Sequence, residues 1–181
     1  MANGNPRHFS IMRGIMRGTV IKIKRIASED AGWKARFKAF YSDCEIKKLD
    51  PRQAHSYFAA YAGSELAGHS VIYFEHDRWI MDGLRVKPEF RQMGIAKLMT
   101  EARIRHAIKN SAKEIGYSCE DGNLVTICCH LRYGFEKVCP AGHRCNLSTA
   151  HWYRLIITPA ILKKFSTPTL RRKIPGSPTK P

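Results

Sequence analysis

Residues 86–96 can bind an anion, because a strand-like run meets a helix-like run there through a turn of small and polar residues. Residues 79–87 alternate as a strand does, and Pro88 then ends the ladder. From Gly94 onward apolar residues return at helical spacing, so the first helical turn offers unpaired N–H groups and the positive end of the helix dipole. Phosphate is the ligand that such a turn favours. The residues predicted to surround the phosphate are Arg91, Gln92, Met93, Gly94, Ile95 and Ala96.

A second segment, residues 123–135, has the start and stop signals of a helix. Asn123 is a favourable N-cap, because its side-chain oxygen can accept a hydrogen bond from the first helical turn. Gly134 stands where the end of a helix needs a residue that accepts the left-handed conformation. Phe135 can then bring an apolar side chain back beneath a sheet. The segment is therefore predicted to be a capped helix that ends in a Gly-Phe turn.

The spacing Arg91-x-x-Gly94-x-Ala96 resembles the pyrophosphate-binding signature of the Gcn5-related N-acetyltransferase (GNAT) superfamily. That signature is Arg or Gln, two residues, Gly, one residue, then Gly or Ala. The capped helix with its Gly-Phe end is similar to the second landmark of the same family. The resemblance covers residues 19–157 and implies a mixed α/β fold with a splayed central β-sheet flanked by helices. It also implies acetyl-CoA or another acyl-CoA as co-substrate, with no metal.

The resemblance implies roles in binding the acyl-CoA. In such a fold the strand that carries Leu84 and Val86 parts from the strand near residues 117–120, and the pantetheine arm hydrogen-bonds to the exposed strand backbone. The backbone N–H of Leu84 would donate to the thioester carbonyl. Asn123 can bind the pantetheine, cap its helix, or do both.

The catalytic residues are predicted with alternatives. The family commonly has a tyrosine acid seven residues after the Asn, and this chain has His130, which can protonate a thiolate or only satisfy a local hydrogen bond. Tyr133, three residues on, is the second candidate acid, or it packs in the core. As bases we expect Asp82, which is predicted to share a strand face with Leu84, or Glu75 at the end of the neighbouring strand. The structural alternatives are a polar cap of the sheet for the first and a solvated strand end for the second.

Basic residues are concentrated at the two ends of the chain. The chain has 181 residues, 44% of them hydrophobic, and a net charge of +16. Residues 1–27 and 159–181 each hold six Lys and Arg without an acid, so the middle carries a modest charge. This distribution is typical of an enzyme with cationic extensions rather than of a DNA-binding module, although the ends can contact polyanions weakly.

The predicted organisation is a basic N-terminal extension at 1–18, one domain at 19–158 and a basic, proline-containing, extended tail at 159–181. Strands are predicted at 19–26, 56–62, 66–75, 79–87, 115–120, 136–139 and 151–157, and helices at 29–41, 51–55, 94–109 and from 124. The six cysteines are expected to be reduced, and the segment 139–145 offers only three of the four ligands that structural zinc needs. Without a spanning apolar run or a signal-peptide layout, a cytoplasmic location is the default expectation.

The leading hypothesis is an N-acyltransferase that moves acetyl from acetyl-CoA to an amine by direct attack. One alternative is transfer of longer acyl groups from CoA or from an acidic acyl carrier protein, to which the basic ends would steer the donor. The other is a catalytically inactive binding protein of the same fold, because the expected tyrosine is replaced at His130. The amine-bearing acceptor and the oligomeric state are not specified by the sequence.

Overall fold

The computed structural model describes residues 20–26, 55–143 and 149–166, which build a seven-stranded sheet with helices. The strands are β1 (Ile21–Ile26), β2 (His55–Ala62), β3 (Glu65–Glu75), β4 (Arg78–Val86), β5 (Glu114–Glu120), β6 (Glu136–His143) and β7 (Thr149–Ile156). The helices are α1 (Ile95–Lys109), α2 (Leu124–Leu131) and α3 (Pro159–Ser166), with a 3-10 helix at Pro88–Phe90. The strand order is β1-β2-β3-β4-β5-β7-β6, and among these described strands only β4 and β5 pair in parallel. Mixed α/β architecture was the prediction, and it is confirmed.

The first four strands pair antiparallel in sequence order, and short turns join β2 to β3 and β3 to β4. Gly63, with φ 63°, lies in the β2–β3 turn, and His76 and Asp77 both have positive φ in the β3–β4 turn. Positive φ at both central residues matches the right-handed twist of a hairpin. The predicted strands of this region are therefore confirmed. The helix predicted at 51–55 is wrong at His55, which begins β2, and residues 27–54 otherwise lie outside the described part of the chain.

Helix α1 packs across one face of the sheet and contributes to two of the core clusters. Ile95 and Met99 in its first half contact residues of β2, β3 and β4, while Ile104 in its second half joins a cluster that extends to β5 and β7. A side chain at Gly68 would lie 3.0 Å from both the Met99 side chain and the Arg85 carbonyl oxygen, so glycine permits the close approach of helix and sheet. This contact holds the start of α1 near the end of β4.

The C-terminal segment begins with a helix, which corrects the prediction of an extended tail from residue 159. The Thr158 hydroxyl caps α3 by accepting a hydrogen bond from the Ile161 amide at 3.3 Å, and Pro159 follows at the first helical position. Ile161 and Phe165, four residues apart, pack against the main core. The prolines and lysines of this segment obscured an amphipathic helix of about two turns. Residues 167–181 lie outside the described ranges, and no helix within those ranges has both the length and the apolar character needed to span a bilayer.

Phe165→Ala is expected to destabilise the protein by about 3 kcal/mol, because it leaves a cavity where a buried ring packed. For a chain of this size, that loss lowers the melting temperature by roughly 6–12 °C. Leu162→Ala is the matched control, since Leu162 lies on the same helix and is 42% exposed. Equal melting temperatures for the two variants would show that α3 does not dock through Phe165.

Candidate active site

Strands β4 and β5 lie side by side only at their beginnings, so the sheet opens into a cleft. Their parallel pairing ends at Ile80 and Gly116, although both strands continue beyond these residues. The cleft has a volume of about 300 Å³. The predicted parting of the two strands is therefore confirmed. The lining residues are 81–85 of β4, Arg103 of α1, 117–120 of β5, Asn123 before α2, and Thr126 and His130 of α2.

Strand β4 contains a β-bulge where the cleft begins. Between Asp82 and Arg85, β4 has two residues, Gly83 and Leu84, where the partner strand β3 has one. Gly83 has φ 57°, a conformation that glycine adopts without steric cost. The bulge interrupts the regular hydrogen-bond ladder at the wall of the cleft. It can thereby turn backbone polar groups toward a ligand.

The bulge also changes which side chains share a face of β4. Leu84 was predicted to lie on the same face as Asp82. In the structure Leu84 packs with Met99 on the α1 side of the sheet, whereas Asp82 pairs with Val71, which packs in a separate cluster away from α1. The predicted shared face is wrong, because one inserted residue shifts the two-residue period of the strand by one.

The turn predicted to bind an anion lies between the open end of β4 and the start of α1. Gln92 and Gly94 have φ 63° and 76°, and the first helical hydrogen bond runs from the Leu98 amide to the Gly94 carbonyl at 3.0 Å. The amides just before Leu98 therefore precede the helical pattern and have no acceptor within the helix. A Cβ added at Gly94 would meet no described atom within 4 Å, so the space above it is open. Nε of Arg91 donates to the Val86 carbonyl at 3.3 Å, which keeps this side chain beside the turn.

A buried arginine on α1 reaches the wall of the cleft. Arg103 is 1% exposed, and its Nη1 donates to the carbonyls of Val71 and Asp82 at 3.3 Å each. Its Nη2 donates to the hydroxyl of Thr100 at 3.3 Å. These bonds tie α1 to β3 and β4 beside the bulge. The sequence analysis missed this residue, because a helical arginine ordinarily lies in solvent.

His130 lies in the cleft wall with a buried imidazole. Its Nδ1 donates to the Thr126 carbonyl at 2.7 Å, so Nδ1 carries the proton and Nε2 is an acceptor. The ring stacks on Tyr117 with centroids 4.1 Å apart. Burial, and then the charge of Arg103, lower the pKa of His130 to about 3. The imidazole is therefore neutral at physiological pH.

Comparison with known protein families shows to which family this chain belongs. A model of the acetyltransferase (GNAT) family matches residues 22–135, which is more than half of the chain. The chain belongs to the GNAT acetyltransferase family. The resemblance predicted from the turn and the capped helix is thereby confirmed. No curated protein shows significant sequence similarity to this chain.

Solved GNAT structures share the fold at low sequence identity. The ribosomal-protein-S18-alanine N-acetyltransferase from Escherichia coli is 14% identical with a TM-score of 0.64, and the match covers 77% of this chain and 95% of that one. Ard1 from Thermoplasma volcanium is 14% identical with a TM-score of 0.62, covering 76% and 98%. The NatC complex bound to Gag peptide and CoA matches at 18% identity and a TM-score of 0.62, covering 76% and 99%. At these identities the likeness shows the fold alone.

Within the GNAT fold, the predicted acids occupy different environments. His130 lines the cleft, but its only proton at neutral pH is directed at the Thr126 carbonyl, which is at odds with a proton-donor role. Tyr133 lies beyond the end of α2, and its hydroxyl donates to Glu101 at 3.1 Å and to the Lys97 carbonyl at 3.3 Å. Tyr133 is buried in the main core, which favours the packing role among the two predicted for it.

The remaining predicted residues divide between the cleft and the rest of the sheet. Asp82 and Asn123 line the cleft, and Asn123 caps α2 by accepting from the Thr126 amide at 3.2 Å. Glu75 pairs with Arg78 at the β3–β4 hairpin, about 15 Å along the strand from the bulge, so the structure does not bring it to the site. Tyr117 and Glu120 also line the cleft, and the sequence analysis missed both residues, because only the parting of β4 and β5 brings them to its wall.

The low pKa of His130 predicts a specific acid sensitivity. The imidazole of His130 is protonated below about pH 6.5 in the unfolded chain but only below about pH 3 in the folded protein. The free energy of unfolding therefore keeps its full value above pH 6.5 and decreases as the pH falls below it. His130→Phe keeps a stacked ring without titration. We expect it to reduce the slope of unfolding free energy against pH by up to about 1.4 kcal/mol per unit between pH 6 and pH 4.

Denaturant unfolding at several pH values measures this slope. The matched control is His76→Asn, which removes an exposed imidazole from the β3–β4 turn and leaves the core unchanged. Identical slopes for His130→Phe and wild type would contradict a neutral buried imidazole.

Proposed function

We propose that this GNAT protein is an acyl-CoA-dependent N-acyltransferase that transfers acetyl from acetyl-CoA to an amine by direct attack. The observation that supports this most is the early end of the β4–β5 pairing at Ile80 and Gly116. The resulting cleft opens toward the anion-binding turn that follows β4. A donor with a diphosphate at one end and a thioester at the other fits that arrangement.

Features of the cleft itself support a bound ligand. The Oη of Tyr117 and the Nε2 of His130 are buried and make no hydrogen bond within the described residues, yet both side chains line the cleft. Buried polar atoms of this kind are ordinarily satisfied, so a polar ligand or water is expected beside them. The open space above Gly94 offers close approach to a phosphate. The NatC structure, which is similar in fold, contains CoA and a peptide.

The residues of the turn and of β4 hold the donor in this proposal. The amides from Gln92 to Ala96, with Met93, Gly94 and Ile95 between them, donate to the diphosphate, and Arg91 adds a positive charge. The exposed backbone of β4 near Val86 hydrogen-bonds the pantetheine, and Asn123 meets it from α2. When bound, acyl-CoA supplies an activated acyl carbon, and the amide of Leu84 donates to its carbonyl oxygen.

Two carboxylates line the cleft from opposite walls and can accept the proton of the amine. Asp82 lies on β4 and Glu120 on β5. Tyr117 packs toward α2, so Glu120, three residues along the strand, points to the opposite face, as does Asp82. An amine that approaches from the face opposite α1 meets these carboxylates first. Asp82 therefore remains a candidate base, and Glu120 joins it.

Isothermal titration with acetyl-CoA, followed by a free-thiol assay with a panel of amines, tests this proposal. The panel should hold a peptide with a free N-terminus, a lysine peptide, a small polyamine and an aryl amine. Binding together with thiol release for one class supports the N-acyltransferase. Failure to bind acetyl-CoA refutes it, and binding without release for any amine favours the inactive binding protein. Release only with a carrier-bound acyl group favours the carrier-dependent alternative.

A further inference from the structure

Strand β5 places a second polar group beside His130 in the cleft. Tyr117 is the first residue of β5 beyond the paired Gly116, so it stands where the strands begin to part. Its side chain is 3% exposed and lines the cleft. Its hydroxyl makes no hydrogen bond within the described residues. A buried hydroxyl without a partner at this position indicates a group that bonds to the ligand.

Aromatic neighbours hold the Tyr117 ring in one orientation. The ring lies between His130, with centroids 4.1 Å apart, and Tyr153, with centroids 4.9 Å apart and an interplanar angle of 11°. The Phe135 ring packs against it in a T-shaped arrangement, with ring centroids 5.3 Å apart. Such stacking favours one direction for the hydroxyl, so little entropy is lost when it binds a ligand atom.

The two stacked rings differ in whether they can donate a hydrogen bond to a ligand in the cleft. The Nε2 of His130 is an acceptor, because its proton lies on Nδ1. Burial, and then the nearby thiol of Cys119, raise the pKa of Tyr117 well above its ordinary value. The phenol therefore keeps its proton across the physiological range. Of these two groups, only Tyr117 offers a hydrogen to a ligand atom in the cleft.

We propose that Tyr117 is a catalytic residue that donates a hydrogen bond to the sulfur of the departing CoA. This role rests on the proposed function. It deepens that function by assigning the donor to β5 instead of to position 130 on α2.

The reaction balances without an additional reagent. The amine nitrogen forms a bond to the acyl carbon, the carbon–sulfur bond breaks, and its electron pair goes to sulfur. One proton lost by the amine passes through the base and solvent to the CoA thiolate. Tyr117 stabilises the negative charge that develops on sulfur and keeps its own proton at the end.

A binding cycle with CoA and desulfo-CoA tests the contact without knowledge of the acceptor. The two ligands differ only in the sulfur atom, and at pH 9 a large share of the free thiol is ionised. We expect the wild type to bind CoA about 5–10-fold more tightly than desulfo-CoA, as a charge-assisted hydrogen bond would provide. Tyr117→Phe should lose this preference while it binds desulfo-CoA as the wild type does.

Tyr153→Phe is the matched control, because it removes a hydroxyl from the ring stacked on the other side of Tyr117. It should keep the wild-type preference for CoA. Tyr117→Met, analysed in the same way, serves as the second variant if the phenylalanine variant does not fold.

The outcomes separate this inference from the proposed function. An intact preference in Tyr117→Phe, or no preference in the wild type, refutes the contact between Tyr117 and sulfur. Failure of the wild type to bind either ligand refutes the acyl-CoA site itself. A preference that is lost in Tyr117→Phe and kept in Tyr153→Phe supports the assignment. Unequal affinities of wild type and Tyr117→Phe for desulfo-CoA would reveal a structural effect and contradict the proposed role.

Discussion

Gly94→Val is expected to weaken acetyl-CoA binding by about 100-fold or more while the protein remains folded. Gly94 has φ 76°, which a β-branched side chain adopts only with strain, and its carbonyl accepts the first helical hydrogen bond of α1. A valine side chain would also fill the open space above the turn, through which a phosphate must approach the amides. Isothermal titration measures the loss of affinity.

Gly63→Val is the matched control for Gly94→Val, because it introduces the same backbone strain at a turn away from the cleft. Gly63 has φ 63°, no described atom lies within 4 Å of an added Cβ, and it occupies the β2–β3 turn away from the cleft. Similar melting temperatures for the two variants, with loss of binding only in Gly94→Val, would assign the effect to the ligand site. Wild-type affinity in Gly94→Val would show that the phosphate binds elsewhere.

Deletion of Gly83 is expected to lower the turnover number by about 100-fold or more, while acetyl-CoA affinity stays within about threefold of the wild type. Without Gly83, Leu84 would stand alone between the paired positions Asp82 and Arg85, so the strand becomes regular. All later side chains keep their faces, because the two bulged residues oppose one residue of β3. The fold and the anion-binding turn should persist, whereas the bulge that orients the Leu84 amide disappears.

Gly83→Asn is the control for the deletion, because it keeps the extra residue and asparagine tolerates positive φ. We expect it to retain far more activity than the deletion does. Steady-state kinetics, with the best amine from the panel, and titration of acetyl-CoA measure both quantities. Full turnover in the deletion variant would rule out a catalytic role for the bulge.

The conformation of the turn at residues 91–96 could be predicted from the sequence because its determinants are local. A proline that ends the strand, a glycine with positive φ and the helical spacing after Gly94 all lie within a few residues of one another. The N-cap at Asn123 was predictable for the same reason, since it depends on one side chain and the amide three residues on. Local hydrogen bonding and backbone sterics decide such features, and both follow directly from residue types.

Other predictions failed where a distant contact decided the outcome. An inserted residue opposite β3 moved Asp82 away from the face of Leu84. Docking on the main core made a helix of residues 159–166, and Phe165 is buried there. Of the two roles predicted for Tyr133, packing in the core is favoured by its burial and by the bond from its hydroxyl to Glu101 on α1. Each case depends on a partner that is remote in the sequence.

The sequence by itself determined the order of the seven strands, the position of the turn between β4 and α1, and the family, because these depend on short-range patterns of residue type. Only the tertiary structure decided which polar groups share the cleft. The parting of β4 from β5 places Tyr117 and Glu120 in the wall of the cleft, and burial beside Arg103 keeps His130 neutral. Burial and charge proximity are properties of the packed chain, so the protonation state of a residue emerges only when its neighbours from other elements are in place.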